Sequence, residues 1–462
     1  MTGPLLWAPR AWIDGSWCCD VLLRVGADGC WATVQSGVPA PDGARVLPGP
    51  VLPGLVDAHS HAFQRAFAGL AERRDGAHDD FWSWRDRMYG VALRITPDEL
   101  RAVATQLYSE LLCGGYTQVC EFHYLHHRED GTRYADAEAD AGAMSRALVE
   151  AVDGAGIGLT LLPVLYERAG FTQPALRDDQ RRFAADVTQV LALRDGVRAL
   201  GARHVNAGVA VHSLRAVPGA SLRDLVRRLG DDAGPVHIHI AEQTAEVDDC
   251  VAATGARPIE WLARELPLDA RWQLVHATHA LPGEIDAVAA SGAGVVLCPG
   301  TEANLGDGLA DLPRWLATDT PLSVGSDSQV CRQWPEELRW LEYGQRLALR
   351  QRNVAARPEI GVPATAASLF GRVLAGGAAA AGLQRWGLTA GARADLLVIN
   401  TLAPGLLGAP STHTLDALVF ATGAPAFSEV WVAGQQWVAA GVHRRAGPAA
   451  DHYARAMQRL WS

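Results

Sequence analysis

The chain has 462 residues, 49% of them hydrophobic, enough to bury the core of a large barrel with an added module, or of two to three ordinary domains. Its net charge of -10 disfavours a nucleic-acid partner, because neutralising phosphates takes a concentrated basic face, and any anionic substrate must be met by a local cluster of cations. All 41 Lys+Arg residues are arginine, which excludes chemistries built on a lysine: the P-loop, the pyridoxal Schiff base and the protein-kinase nucleotide site.

In chain order, Met1–Trp12 lacks the basic start and apolar core of a signal peptide, and no apolar run approaches the roughly 20 residues that span a bilayer, so a cytoplasmic protein without membrane contact is expected. Short strands at Trp12–Trp17, Val21–Val25 and Trp31–Val34, with tight-turn dipeptides Asp14-Gly15 and Asp28-Gly29, predict a small β module. From Gly54 onward strands alternate with helix-length segments such as Pro97–Leu112 and Ala137–Ala155. Eight strand candidates follow: Gly54–His59, Gln118–Phe122, Gly158–Leu165, Ala207–His212, Val236–Ile240, Gln273–His276, Gly294–Cys298 and Pro321–Ser326. This pattern predicts an α/β fold, a TIM-like (β/α)8 barrel with its catalytic groups at the carboxyl ends of the strands.

Ala375–Gly382 contains only alanine and glycine and carries no expected role. Strand texture returns at Ala394–Ile399, Ala417–Phe420 and Glu429–Gly434, and the two chain ends are expected to form one small β-sandwich domain. The predicted divisions are 1–52 and 385–445 for the sandwich, 53–384 for the barrel and a helix over 446–462. The eight cysteines show no Cys-x-x-Cys spacing, which argues against a disulfide framework or a thiolate metal site and for buried apolar thiols.

Four strand ends carry the chemistry. The first strand runs into His59-Ser60-His61, and a period of two puts both imidazoles on one side as a metal pincer. Val236-His237-Ile238-His239-Ile240-Ala241-Glu242 offers a third imidazole with a carboxylate nearby for proton transfer. His237 shares the face of His239 one layer deeper and competes for the ligand role; His239 ranks first because it lies nearer the strand end and the glutamate. Two further strands deliver His276 and Asp327, the latter suited to be a ligand or a general base. Each has a plainer alternative, a packed histidine or a helix-capping Ser-Asp-Ser, but four strand ends agree in presenting His-x-His, His, His and Asp.

That order resembles the amidohydrolase superfamily, as do Val51–His59 and Gly387–Leu396, and the resemblance covers essentially the whole chain. It implies metal ligands on the first, fifth and eighth strands, a catalytic histidine on the sixth, and a homodimer. Many members hold two metals bridged by a carbamylated lysine; with no lysine, the resemblance is to the mononuclear deaminase branch, implying one zinc per chain held by His59, His61, His239 and Asp327, with Glu242, His276 and Asp327 catalytic.

Within that branch the chain looks most like the formimidoylglutamate deiminase family, on His59–Ala66, Phe81–Asp86, Glu121–His127, His212–Val217 and Thr301–Gly308. The resemblance assigns the substrate to Gln64, Arg85, Tyr124, His212 and Arg215. Such a substrate, a small dicarboxylate, needs forked donors in an acidic protein, and arginine supplies them bidentately. Arg85 is expected in the long loop after the first strand, where it could instead be a surface arginine stacked on Trp82 or Trp84, and Arg215 in a mouth loop after the fourth. Gly300 replaces an expected larger polar residue and leaves the role of Glu302 open. The competing readings are a deaminase or chlorohydrolase of a purine, pyrimidine or triazine, which wants an aromatic slot, and an inactive metal-binding scaffold.

Overall fold

A computed structural model describes residues 3–74, 81–134 and 142–462, and for Trp82 the backbone alone. Part of the predicted helix Ala137–Ala155 lies outside the described residues; its described portion is helical over Ala143–Ala155.

Eight parallel strand positions form the barrel, in the order Leu55–Ser60, Tyr116–His123, Gly158–Leu165, a fourth position split into Val205–Ala207 and Val209–Val211, Val236–Ile240, Trp272–His276, Gly294–Leu297 and Leu322–Val324. Every residue of the first, second, third and fifth strands is buried, as near-continuous apolar runs require when helices cover the outer face. The last strand meets the first through a single bridge, Ser60 to Asp327, so the barrel closes at the residues singled out from the sequence. Gly325 makes this closure possible: a Cβ there would lie 2.6 Å from the Cβ of His59.

Helix Thr365–Ala380 seals the far end of the barrel. The carbonyl of Ala381 accepts from Thr160 and Asn206 on the third and fourth strands, and that of Ala380 accepts from His237 on the fifth. The alanine–glycine tract has a role after all. A Cβ on Gly376 would lie 2.1 Å from the carbonyl oxygen of Leu322, and one on Gly377 2.9 Å from the Cβ of Val56, so only small residues let this helix rest on the first and last strands.

The chain ends form a separate nine-stranded sheet with its own apolar core. Val51–Leu52 joins its two parts, pairing in parallel with Leu5–Ile13 and antiparallel with Leu396–Ile399 just before the chain enters the barrel. Three expectations need correction. Trp12–Trp17 is a hairpin corner, with Asp14 and Gly15 in left-handed conformation between Leu5–Ile13 and Ser16–Val25. Ala417–Phe420 belongs to a helix, Thr414–Phe420, whose buried Leu415, Leu418 and Val419 recur at helical rather than strand spacing. Only half the thiols are buried: Cys120, Cys250, Cys298 and Cys331 are, while on the hairpin Cys18 is half-buried against the sheet core and Cys19 is exposed.

Candidate active site

The imidazoles of His59, His61 and His239 converge, with Nε2 of His59 at 3.2 Å from that of His61 and 3.0 Å from that of His239. Asp327 Oδ1 lies 3.5 Å from His59 Nε2 and 3.4 Å from His61 Nε2. All four residues are at most 9% exposed. The His61 tautomer is fixed, because its Nδ1 lies 2.9 Å from the carbonyl oxygen of Phe122, which can only accept. His61 Nε2 is therefore an unprotonated lone pair directed at its neighbours.

Burial lowers all three histidines, His59 to about 3, so they are neutral. For Asp327 burial pushes upward, but its hydrogen bond with His59 and the nearby imidazoles outweigh this and hold the carboxyl below its ordinary range. Neutral imidazole nitrogens packed this closely, beside an ionised carboxylate, fit a divalent cation of the zinc type. His237 does not join them; its Nε2 donates to Ala380, at the sealed end of the barrel.

Buried carboxylates bracket the cluster. Glu121 accepts from the backbone N–H of Ala62 at 2.6 Å and from the Ser60 hydroxyl at 2.8 Å, gripping the chain on both sides of His61, and burial pushes it up to about 8. Asp57 accepts from the backbone and hydroxyl of Ser326, tying the first strand to the residue before Asp327. At the strand ends Ala241, His276, Ala277 and Asp327 all have positive φ without being glycine. This costly backbone persists where the surrounding fold over-determines it.

His276 Nε2 lies 3.7 Å from Glu242 Oε1 and 3.8 Å from Asp327 Oδ2. Burial would lower His276, but Glu242, Glu302 and Asp327 outweigh it and raise it to about 10. Burial pushes Glu242 up to about 7. Glu246, not singled out from the sequence, accepts from the backbone N–H groups of Ala241 and Glu242 and fixes the latter's position. Its spacing, four residues after Glu242 at the start of helix Thr244–Thr254, is the only local signal that could have found it.

One cavity joins this cluster to the expected substrate residues: Gln64, Arg85, Tyr124, His212 and Arg215 line it together with His61, His239, Glu242, His276 and Asp327. Arg85 does not stand in a loop but on helix Phe81–Ala92, its guanidinium carbon 5.7 Å from the ring centre of Tyr89 rather than flat on the surface. Burial and the neighbouring Arg215 charge lower its pKa. Arg168, also missed, donates to the carbonyls of Leu214, Arg215 and Val217 and so holds the turn that carries Arg215. Gln64 donates to the Tyr124 hydroxyl, leaving its buried Oε1 without a partner among the described residues. His212 packs against Tyr166, ring centres 4.4 Å apart, and stands 5.2 Å from His239.

Residues 51–437 match the model of the amidohydrolase family. The chain is 46% identical to a formimidoylglutamate deiminase of Pseudomonas aeruginosa, over 95% of each protein. It is 28% identical to a 5-methylthioadenosine/S-adenosylhomocysteine deaminase of Natronomonas pharaonis, over 80% of this chain and 77% of that one. Among solved structures it resembles an amidohydrolase from Brucella melitensis, with 41% identity and a TM-score of 0.93 over 99% of this chain and 100% of that one. The fold is shared with a zinc-bound adenosine deaminase from Xanthomonas campestris, at 22% identity and a TM-score of 0.80 over 99% and 98% of the two chains.

Proposed function

The chain belongs to the amidohydrolase family, and on that premise we propose that it is a formimidoylglutamate deiminase, a hydrolase that converts N-formimino-L-glutamate and water to N-formyl-L-glutamate and ammonia, a step of histidine degradation. The observation that carries this reading is the pairing of two guanidinium groups, Arg85 and Arg215, in the same cavity as the histidine–aspartate cluster. A dicarboxylate needs both cations; a purine, pyrimidine or triazine needs neither. Identity to the Pseudomonas aeruginosa deiminase over 95% of both chains supports the same substrate.

In this reading His59, His61, His239 and Asp327 hold one zinc ion per chain. A bound zinc ion supplies Lewis acidity and lowers the pKa of a water toward about 7, making hydroxide available near neutrality. With a divalent cation held beside Asp327, the carboxylates that raise His276 would be offset, so that Asp327 Oδ2 and His276 Nε2, which lie 3.8 Å apart, would orient the attacking water and take its proton. Glu242, held by Glu246 and lifted by burial to a pKa of about 7, protonates the departing nitrogen as the C–N bond breaks. Arg85 and Arg215 bind the two carboxylates, and Gln64, Tyr124 and His212 complete the pocket around the substrate backbone. The working protein is a cytoplasmic homodimer, supported by family resemblance alone and checked by whether its solution mass is twice that of the chain.

The deciding assay is ammonia release from N-formimino-L-glutamate compared with adenine, guanine and cytosine derivatives, together with metal analysis. We expect turnover of the formimino compound alone and about one zinc per chain. Ammonia from a heterocycle instead, or two stoichiometric metals in an ordered site, would overturn the assignment. No release from any substrate by the zinc-loaded protein would favour a scaffold.

A further inference from the structure

We propose that Glu302 is a positioning residue that holds His276 with its proton on Nδ1, so that the proton exchange of the reaction takes place at Nε2. The inference rests on the catalytic role given to His276 above.

The geometry around the two side chains carries it. Glu302 is 5% exposed and His276 1%, so neither is solvated by bulk water. Glu302 Oε1 lies 3.4 Å from His276 Nδ1 and accepts the backbone N–H of Cys298 at 2.9 Å. That second contact matters, because the Cys298 N–H can only donate and so uses Glu302 Oε1 as an acceptor; a carboxylate whose oxygens only accept is met by His276 Nδ1 as the donor. The other ring nitrogen faces the opposite way, into the cavity, toward Glu242 Oε1 and Asp327 Oδ2. The ring plane is set independently by stacking on His239, with centres 5.5 Å apart and planes at 28°. His276 is itself in left-handed conformation, with φ of 70°. Backbone and stacking thus aim the ring, and Glu302 selects which nitrogen is protonated.

Glu302 is in turn anchored from outside the cavity. Its helix, Pro299–Leu305, is fixed where the Gly300 N–H donates to the fully buried Glu337 at 2.8 Å. A Cβ at position 300 would lie 2.8 Å from Glu337 Oε1 and 3.0 Å from the Cβ of Cys331. The larger polar residue expected at position 300 from the sequence would not fit this anchorage, and glycine does.

Two substitutions of the zinc-loaded full-length enzyme separate positioning from mere packing. In Glu302→Gln the amide oxygen remains on the Cys298 N–H and still accepts from Nδ1, so we expect kcat within about tenfold of the parent. In Glu302→Leu no acceptor remains, and kcat should fall by roughly 100-fold or more while KM changes by less than about threefold. Zinc content and melting temperature should match the parent in both. The proposal is overturned if Glu302→Leu keeps its kcat, if Glu302→Gln is as impaired as Glu302→Leu, or if the loss falls on KM or tracks zinc release. Should Glu302→Leu not fold, 15N spectra of histidine-labelled parent decide without any substrate, the His276 signals being assigned by their loss in His276→Asn. A ring protonated on Nδ1 with Nε2 free supports the proposal; a proton on Nε2 with Nδ1 free overturns it, as does an imidazolium that keeps both protons across the pH range of activity. Because the spectra involve no turnover, a wrong tautomer condemns this inference alone, whereas failure of the parent to release ammonia from N-formimino-L-glutamate condemns the substrate reading alone.

Discussion

The histidine–aspartate cluster rises from the ends of the first, fifth and eighth barrel strands, whereas Arg85 and Arg215 stand on a helix and a turn beyond them. At the strand ends backbone braces two of the four ligand-type residues, the His61 ring by the Phe122 carbonyl and Asp327 through its own N–H on the His59 carbonyl, and Glu121 and Asp57 grip the chain around both. At the arginine end Tyr89 lies beneath Arg85, and Arg215 donates to the Ala169 carbonyl at 3.3 Å while the Arg168 side chain holds its turn, all of them outside the barrel strands. The difference teaches that one end of the cavity is fixed by the barrel itself and the other by what is mounted on it. Chemistry and substrate choice should then be separable by mutation.

The largest test of that separation is His276→Asn. We expect kcat to drop by about 10²–10⁴, the usual contribution of a positioned proton-transfer group, with zinc content unchanged. Loss of zinc in step with activity would make His276 a ligand and merge two roles that the geometry keeps apart. At the other end, Arg85→Ala and Arg215→Ala should each cost roughly 2–5 kcal/mol in kcat/KM, because a substrate carboxylate is left unpaired in a partly desolvated site. Both variants should retain zinc, and both should discriminate less than the parent between formimidoylglutamate and an analogue lacking one carboxylate. If the ratio stays at the parental value, the arginines are not carboxylate readers.

A smaller effect is expected of Glu121→Gln, which keeps the hydroxyl contact but cannot satisfy both donors as a carboxylate does. Zinc affinity should fall by about 10–100-fold in chelator competition, as for other groups that orient ligands. Unchanged affinity would mean that the backbone alone braces His61. Smallest, and remote from both ends, Gly376→Ala should overpack the helix against Leu322 and cost about 1–3 kcal/mol of stability, read as a lowered melting temperature with kcat/KM unaltered.

The strand ends were legible because each is a short apolar run that stops at a polar residue, a local signal that survives without knowledge of the fold. His59, His61, His239, His276 and Asp327 all have it, and the period of two correctly paired His59 with His61. What escaped is whatever depends on segments far apart in the chain. Asp57 and Ser326 are separated by 269 positions, and nothing local marks either as the other's partner. Glu302 meets His276 only because two neighbouring barrel strands bring their loops together. Arg85 was placed in a loop because Phe81–Ala92 has little amphipathic contrast, and its helix depends on packing. Ala417–Phe420 misled for a related reason: four residues are too few to tell a period of two from one of 3.6.

The sealed far end of the barrel has a consequence for traffic. Thr160, Asn206 and His237 are all bound to the Ala380 and Ala381 carbonyls, which ties the floor of the barrel together beneath the cavity. If traffic runs through the mouth of the barrel, reactant and products share the part of the cavity that Arg85 and Arg215 line. If Arg85 and Arg215 hold the carboxylates as proposed, small neutral ammonia would leave past the bound dicarboxylate, while the acyl product would stay until the arginines release it. On that reading departure would be ordered, ammonia first and the dicarboxylate second, and N-formylglutamate would occupy the contacts that the next substrate molecule requires, so it should compete with substrate rather than with water.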